Sequence, residues 1–182
     1  MKIQILMLFL ASLFITSAIY SNTKKYEAVK NESFITYKLT HPLHEVESTS
    51  RSAICLIEAD PDLKKITQVA VKVGVETFNS GNSNRDSHAM EVIEALKYPD
   101  AIFRSTSITP KGDSLEVRGE LTFHGITKEI QISILPSWSK DKLIVSGSFD
   151  ISLTAFHVER PSLLLIPVKD TLQFTLSQSF NL

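Results

Sequence analysis

Apolar and polar residues alternate along most of this chain from residue 33 onward, over runs of five to nine positions. A repeat of two places successive side chains on opposite faces of an extended strand, so each run predicts a β-strand with one apolar face. Strands of this kind must bury their apolar faces against one another. The pattern therefore predicts antiparallel strands that pack as two sheets or close into a barrel. The runs span residues 35–39, 69–75, 115–123, 130–134, 149–153 and 172–176.

Turn-forming residues fall between these runs. Residues 60–62, 109–113, 124–125 and 139–142 are rich in Asp, Pro, Gly and Lys, and such segments predict hairpin turns. His124 and Gly125 join two alternating runs within a few residues, so Gly125 is expected to supply the backbone conformation of a tight turn.

One segment has helical periodicity. In residues 89–96 the apolar side chains recur at i, i+3, i+4 and i+7, after the cap-type residues Asp86 and Ser87 and before Pro99. This spacing predicts one amphipathic helix of about two to three turns. The expected fold class is all-β with one short α-helix.

The N-terminus has the pattern of a secretory signal peptide. Residues 3–15 are apolar except for Gln4 and Ser12, follow Lys2, and precede the small or polar residues 16–18. A membrane span needs about 20 apolar residues, so we expect residues 1–21 to be a cleaved signal and 22–182 to form one domain. The expected location is the periplasm, with no stable membrane span; an uncleaved N-terminal anchor is the alternative.

Charge and cysteine content exclude several classes of protein. The 19 Lys and Arg residues nearly balance the 20 Asp and Glu residues, and no basic cluster is present to bind nucleic acid. A lone cysteine forms no internal disulfide. Cys55 lies in the apolar run 52–57 and is expected to be a packed, buried side chain; a reactive or metal-bound thiol is the alternative.

No motif points to catalysis or to a metal. The hydrolase signatures G-x-S-x-G and S-x-x-K and the dinucleotide-binding signature G-x-G-x-x-G are absent, so we expect no enzyme activity. His41 and His44 form an H-x-x-H pair that His88, His124, His157 or Cys55 could complete. On an extended strand two such histidines would point to opposite faces, and Pro42 favours a turn, so no metal site is expected.

A barrel of about eight strands is filled by its own side chains or holds one small ligand. The inward faces here are aliphatic, so a cavity would accept an elongated apolar ligand. Periodicity alone leaves both cases open.

Three motifs resemble the YceI-like family. They are residues 78–88 (FNSGNSNRDSH), 97–105 (KYPDAIFRS) and 119–128 (GELTFHGITK), the last similar to the family signature G-x-L-T-x-x-G-x-T-[KR]. The resemblance implies an exported, extended, lipocalin-like antiparallel β-barrel that holds a polyisoprenoid, fatty acid or fatty amide. The chain departs from the usual family pattern at residues 41–44 and 155–165. The resemblance therefore predicts the identity of the ligand less well than it predicts the fold.

The pattern and the resemblance together predict the site. We expect a long-chain lipid or isoprenoid ligand and no other cofactor, with Arg85, Asp86 and His88 as a rim for its headgroup. The alternative for the rim is structural, with Asp86 capping the helix and Arg85 tying the preceding loop to a strand. The residues expected to line the cavity are Val71, Val73, Val75, Phe78, Ile93, Leu121, Phe123, Ile130, Ile132, Phe149, Ile151 and Phe174.

One apolar segment and the function each have more than one interpretation from the sequence. The apolar run 163–166 (LLLI) is either buried on both sides or forms a lip at the cavity mouth or at a membrane. The rival functions are an envelope interaction module with a self-filled barrel and a metal-binding protein that uses His41 and His44. The oligomeric state is undetermined, with a homodimer among the options.

Overall fold

The computed structural model describes residues 22–182. The predicted signal peptide, residues 1–21, lies outside this range. The main sheet has ten strands, all paired antiparallel, in the order β1-β4-β5-β6-β7-β8-β9-β12-β2-β3. In chain order these are β1 Lys24–Glu27, β2 Phe34–His41, β3 His44–Ser50, β4 Ile54–Asp60, β5 Lys65–Gly74, β6 Asp100–Lys111, β7 Ser114–Phe123, β8 Ile126–Trp138, β9 Lys142–Ser152 and β12 Thr171–Asn181.

A two-stranded hairpin lies between β9 and β12. It consists of β10 Ser162–Leu163 and β11 Ile166–Pro167. Single 3-10 turns cover Lys30–Glu32, Val75–Thr77 and Thr154–Phe156. The all-β prediction with one short helix is therefore confirmed.

The sheet curls strongly, and single bridges connect its edge regions to distant strands. Ala28, just after β1, bridges Phe180 in β12, and Thr49 in β3 bridges Asn79 beyond β5. The structure thus forms a curled half-barrel whose edge regions are linked to distant strands by single bridges, whereas a fully closed barrel would have a continuous ladder at every strand. The buried side chains lie on the concave face, among them Val117, Leu143 and Phe180.

The antiparallel order places four connections at one end of the sheet. The β2–β3 turn, the β5–β6 connection, the β7–β8 turn and the β9–β12 connection all lie at this end, which we call the helical end. The name reflects the helix α1, Ser83–Val92, in the β5–β6 connection. Among residues 22–182, no helix has the length and apolar character needed to cross a bilayer.

The helix begins and ends earlier than predicted. Its N-cap is Asn82, whose side chain accepts a hydrogen bond from the Arg85 amide at 3.1 Å, so the prediction that Asp86 caps the helix is wrong. The Asn82 side chain satisfies a backbone amide of the first helical turn and so sets where the helix begins. The spacing of apolar residues alone does not show this position. The backbone leaves the helix after Val92, Glu94 has a φ of 47°, and Leu96 is fully exposed.

The turn between β7 and β8 has the predicted glycine role. His124 and Gly125 have φ values of 50° and 73°, as in a type I′ hairpin turn. A Cβ atom at Gly125 would lie 2.5 Å from the Tyr98 ring. Gly125 is therefore required both by its backbone conformation and by the close approach of Tyr98.

Candidate functional site

The concave face of the sheet encloses an apolar cavity of about 460 Å³. This size lies within the range of small-molecule pockets, and side chains from β2 to β9, β12 and α1 surround it. A barrel filled by its own side chains would leave no cavity of this size. The structure therefore does not support the self-filled alternative. Of the residues expected to line the cavity, all but Ile130 do so, and they are Val71, Val73, Val75, Phe78, Ile93, Leu121, Phe123, Ile132, Phe149, Ile151 and Phe174.

Ile130 lies outside this lining. It pairs with Gly119 across β7 and β8 and packs against the main buried cluster. Its side chain follows the same alternation as Ile132 and Ile134, so periodicity alone could not separate a cavity position from a packed one.

Several lining residues come from strands that the site prediction left out. Ile35, Tyr37 and Leu39 of β2 line the cavity, as do Cys55 and Ile57 of β4. The alternation of residues 35–39 was the signal for the first three. Cys55 and Ile57 lie in a continuous apolar run, where the inward face cannot be read from alternation.

An aromatic row crosses the cavity wall over three neighbouring strands. Phe149 of β9 and Tyr37 of β2 are the cross-strand partners of Phe174 in β12. The rings of Phe149 and Phe174 stack with centroids 4.8 Å apart, and Tyr37 lies 6.4 Å from Phe174 and 5.2 Å from Phe78. Such pairs stabilise both the sheet and an apolar surface for a ligand chain.

Tyr37 brings a hydroxyl to this mainly apolar wall. Burial is the main reason that the pKa of its phenol is raised above the usual value. The Ser48 hydroxyl and the Arg85 charge act in the opposite direction, and the Asp86 charge adds to the rise. The phenol therefore stays neutral at neutral pH and keeps its proton as a hydrogen-bond donor.

The helix α1 forms one margin of the cavity, and its charged residues are partly committed to structure. The Arg85 Nε donates to the Ser80 hydroxyl at 2.9 Å and Nη2 to the Ser80 carbonyl at 3.0 Å. Asp86 accepts from the Ser80 amide at 3.1 Å. Arg85 and His88 are among the lining residues and Asp86 is not. Asp86 thus fixes the loop before the helix.

A polar recess adjoins the cavity at the helical end, and no sequence motif predicts it. His124 is at its base: its Nδ1 donates to the Phe156 carbonyl at 3.0 Å, and its Nε2 lies 3.2 Å from the Glu94 carboxylate. The charged and histidine residues that line the recess are His88, Glu91, Glu94, His124, His157, Glu159 and Arg160.

His41 and His44 lie directly opposite each other across the β2–β3 hairpin, with ring centroids 5.1 Å apart. The turn that Pro42 favours is present at residues 42–43 and makes the two histidines cross-strand partners, so the opposite-face geometry of a single extended strand does not apply. Both line the cavity. Within residues 22–182, no group of three or more His, Cys, Asp or Glu side chains is arranged to hold a metal ion.

Cys55 is buried, as predicted, with 3% of its surface exposed. Burial raises the pKa of its thiol from 9.0 to about 12. The neutral thiol is favoured in the folded state, so this side chain is a packing group without the thiolate that reactivity requires.

This shift predicts a pH dependence of stability. Above about pH 9 the unfolded chain loses the Cys55 proton before the folded chain does, so the free energy of unfolding falls as pH rises. The slope from this residue approaches about 1.4 kcal/mol per pH unit. We expect the free energy of urea unfolding between about pH 8 and about pH 10.5 to fall more steeply in the wild type than in Cys55→Ala, by up to this slope. Parallel pH curves for the two proteins would contradict the shift.

Comparison with known families gives a match over nearly all of the described region. A family model described as the YceI-like domain matches residues 26–180. Among curated relatives, a UPF0312 protein of Vibrio cholerae serotype O1 is 40% identical over 109 residues, which are 55% of this chain and 58% of that protein. Protein YceI of Salmonella arizonae is 27% identical over 139 residues, 72% of this chain and 71% of that protein. The chain thus spans less than two thirds of the length of the Vibrio relative.

Solved structures share the fold at low sequence identity. BcnA of Burkholderia cenocepacia has a TM-score of 0.76 at 19% identity, with 84% of this chain and 98% of that chain covered. A polyisoprenoid binding domain from Saccharophagus degradans, implicated in plant cell wall breakdown, has a TM-score of 0.63 at 11% identity over 86% of this chain and 97% of that chain. These likenesses establish a shared architecture.

Proposed function

This chain belongs to the YceI-like family, and from that membership we propose that it is an exported carrier or sequestering protein for one long apolar amphiphile. The ligand tail occupies the cavity on the concave face of the sheet, and the protein carries out no chemistry on it. The N-terminal pattern of residues 1–21 supports export, and the periplasm is the compartment we propose.

The apolar cavity of about 460 Å³ is the observation that carries this proposal. Each buried methylene contributes about 0.8 kcal/mol, so a chain of about ten would contribute ~8 kcal/mol before the costs of lost ligand freedom. Burial of a long tail therefore supplies useful affinity without any specific polar contact. The solved neighbour that binds a polyisoprenoid supports an isoprenoid ligand; a fatty acid or fatty amide has the same tail chemistry.

The polar end of the ligand belongs at the helical end of the sheet. Arg85 and His88 are lining residues on α1, and the polar recess around His124 adjoins the cavity there. A headgroup at this margin keeps its hydrogen bonds to protein or water while the tail is buried, which avoids the cost of unpaired polar groups.

Native mass spectrometry of freshly purified protein tests the proposal. We expect an excess mass of one lipid-sized molecule per chain that disappears on denaturation, and solvent extraction should recover the same molecule. A second measurement uses protein from which lipid has been extracted, titrated with a fluorescent long-chain polyene fatty acid. A protein that carries no lipid and also fails to bind this probe would overturn the carrier function.

A further inference from the structure

The hairpin β10–β11 exposes an unusual apolar tip. Leu163 pairs with Ile166, so Leu164 and Leu165 are the two central residues of the turn. Their φ values are 52° and 66°, and 76% and 96% of their surfaces are exposed. The run 163–166 is therefore exposed, and the interpretation that it is buried on both sides is wrong.

The residues at the centre of this turn are ones that its backbone conformation disfavours. A two-residue turn with both φ values positive is type I′, for which Asn-Gly is strongly preferred and large side chains are disfavoured. Leucines here bring neither a favourable backbone conformation nor burial within the chain. Their apolar side chains are thus the feature that distinguishes this tip from an ordinary turn.

A further exposed leucine, Leu43, lies beside the hairpin, because His41 connects the two turns. The buried His41 accepts a hydrogen bond at Nδ1 from the Leu43 amide at 3.2 Å, so its Nε2 carries the proton donated to the Ile166 carbonyl at 2.9 Å. Leu43 has 62% of its surface exposed. The Lys169 amide also donates to the Thr40 carbonyl at 2.8 Å. We call the surface formed by Leu43 and residues 163–166 the leucine tip.

The leucine tip is continuous with the cavity mouth. Pro161, Ser162 and Leu163 are among the residues that line the cavity. A ligand tail that enters or leaves at this margin would therefore pass beside the exposed leucines.

On the basis of the proposed function, we propose that the leucine tip inserts into the interfacial region of a lipid bilayer, where the cavity takes up or releases its ligand. A water-insoluble amphiphile is held in a lipid phase, and contact between that phase and the mouth spares the tail a passage through water. Small apolar protrusions of this kind bind membranes in proportion to the apolar area that they bury.

A bilayer fits this surface better than a second protein copy. The tip exposes roughly a few hundred Å² of apolar surface, whereas a stable protein interface buries about 800 Å² on each partner. Charges of both signs surround the tip: Lys38 forms an ion pair with Glu45 at 2.7 Å, and the Arg160 charge interacts with the Asp170 carboxylate. Binding is therefore expected to depend on apolar insertion, with little requirement for anionic lipid.

The variant Leu164→Asn/Leu165→Gly tests the inference, because it installs the preferred residues of the same turn and removes the apolar side chains. We expect it to unfold at the same or a higher temperature than the wild type. In sedimentation with phosphatidylcholine vesicles, the partition coefficient of the variant, calculated from its membrane-bound fraction, should be at least about tenfold lower than that of the wild type. The control is Leu63→Asn, an exposed leucine in the β4–β5 turn at the opposite end of the sheet, which should sediment like the wild type.

Three results would overturn the inference. The first is equal sedimentation of the wild type and the tip variant. The second is wild-type binding that requires phosphatidylglycerol and disappears with added salt. The third is a wild-type dimer in analytical ultracentrifugation that the tip variant lacks, with no vesicle binding by either protein.

A separate measurement distinguishes failure of the inference from failure of the carrier function. The polyene fatty acid is delivered from cyclodextrin without vesicles, and the tip variant should bind it with wild-type affinity. If neither protein binds the probe while only the wild type binds vesicles, the membrane contact stands and the carrier function fails.

Discussion

Replacing Ile132 with aspartate is expected to abolish the folded state or to remove about 3–5 kcal/mol from the free energy of unfolding. Ile132 has 6% of its surface exposed, pairs with the buried Val117, and lines the cavity. An aspartate there has no partner for its charge, and domains of this size are stable by only ~5–15 kcal/mol. Urea unfolding followed by circular dichroism measures the loss.

The pH dependence of this variant gives a second readout. Burial raises the pKa of a carboxyl group, so the folded state binds a proton more tightly than the unfolded state does. The variant should therefore regain stability as pH falls toward 5, the reverse of the usual acid denaturation.

Gln131→Asp is the matched control for Ile132→Asp. Gln131 is the preceding residue of β8, is exposed, and has Arg118 as its cross-strand partner, so its charge stays in water beside a cation and stability should change by less than about 0.5 kcal/mol. Similar losses in both variants would show that the inward face of β8 has been assigned to the wrong residues.

The strands could be predicted from the sequence because each strand has one solvent-exposed face and one buried face. In β7 and β9, exposed or partly exposed residues alternate with buried ones. The buried residues include Val117, Leu121, Val145 and Ile151. This alternation places Leu121 and Ile151 on the concave face. It cannot say which concave residues meet space and which meet one another, and Ile130 is the position where that difference matters.

The features missed by the sequence depend on chain reversals and on local hydrogen bonds. His41 and His44 are cross-strand partners at the two-residue turn that Pro42 favours, but the sequence did not show that their rings would lie side by side. Helix α1 begins at Ser83, after the Asn82 cap, six residues before the apolar spacing starts at residue 89. The recess around His124 joins three connections that are far apart in the sequence, so only the sheet order brings them together.

Filling the cavity is the most direct test of where a ligand binds. Val71 of β5 has Cys55 and Phe103 as cross-strand neighbours, is half-buried, and lines the cavity. A tryptophan at this position extends an indole ring into space that the ligand tail needs. We expect Val71→Trp to weaken binding of the polyene fatty acid at least about 100-fold, or about 2.7 kcal/mol.

The same variant should keep its fold, because filling an apolar cavity commonly adds ~0.5–2 kcal/mol of stability. Loss of binding without loss of stability then separates occupation of the cavity from general damage. Lys72→Trp is the control: its side chain is exposed on the outer face of the same strand, and its ion pair with Asp100 is a surface contact of little energetic value. We expect this control to bind the probe as the wild type does. Wild-type affinity in Val71→Trp would mean that the probe binds elsewhere on the protein, and the cavity would then have no role in ligand capture.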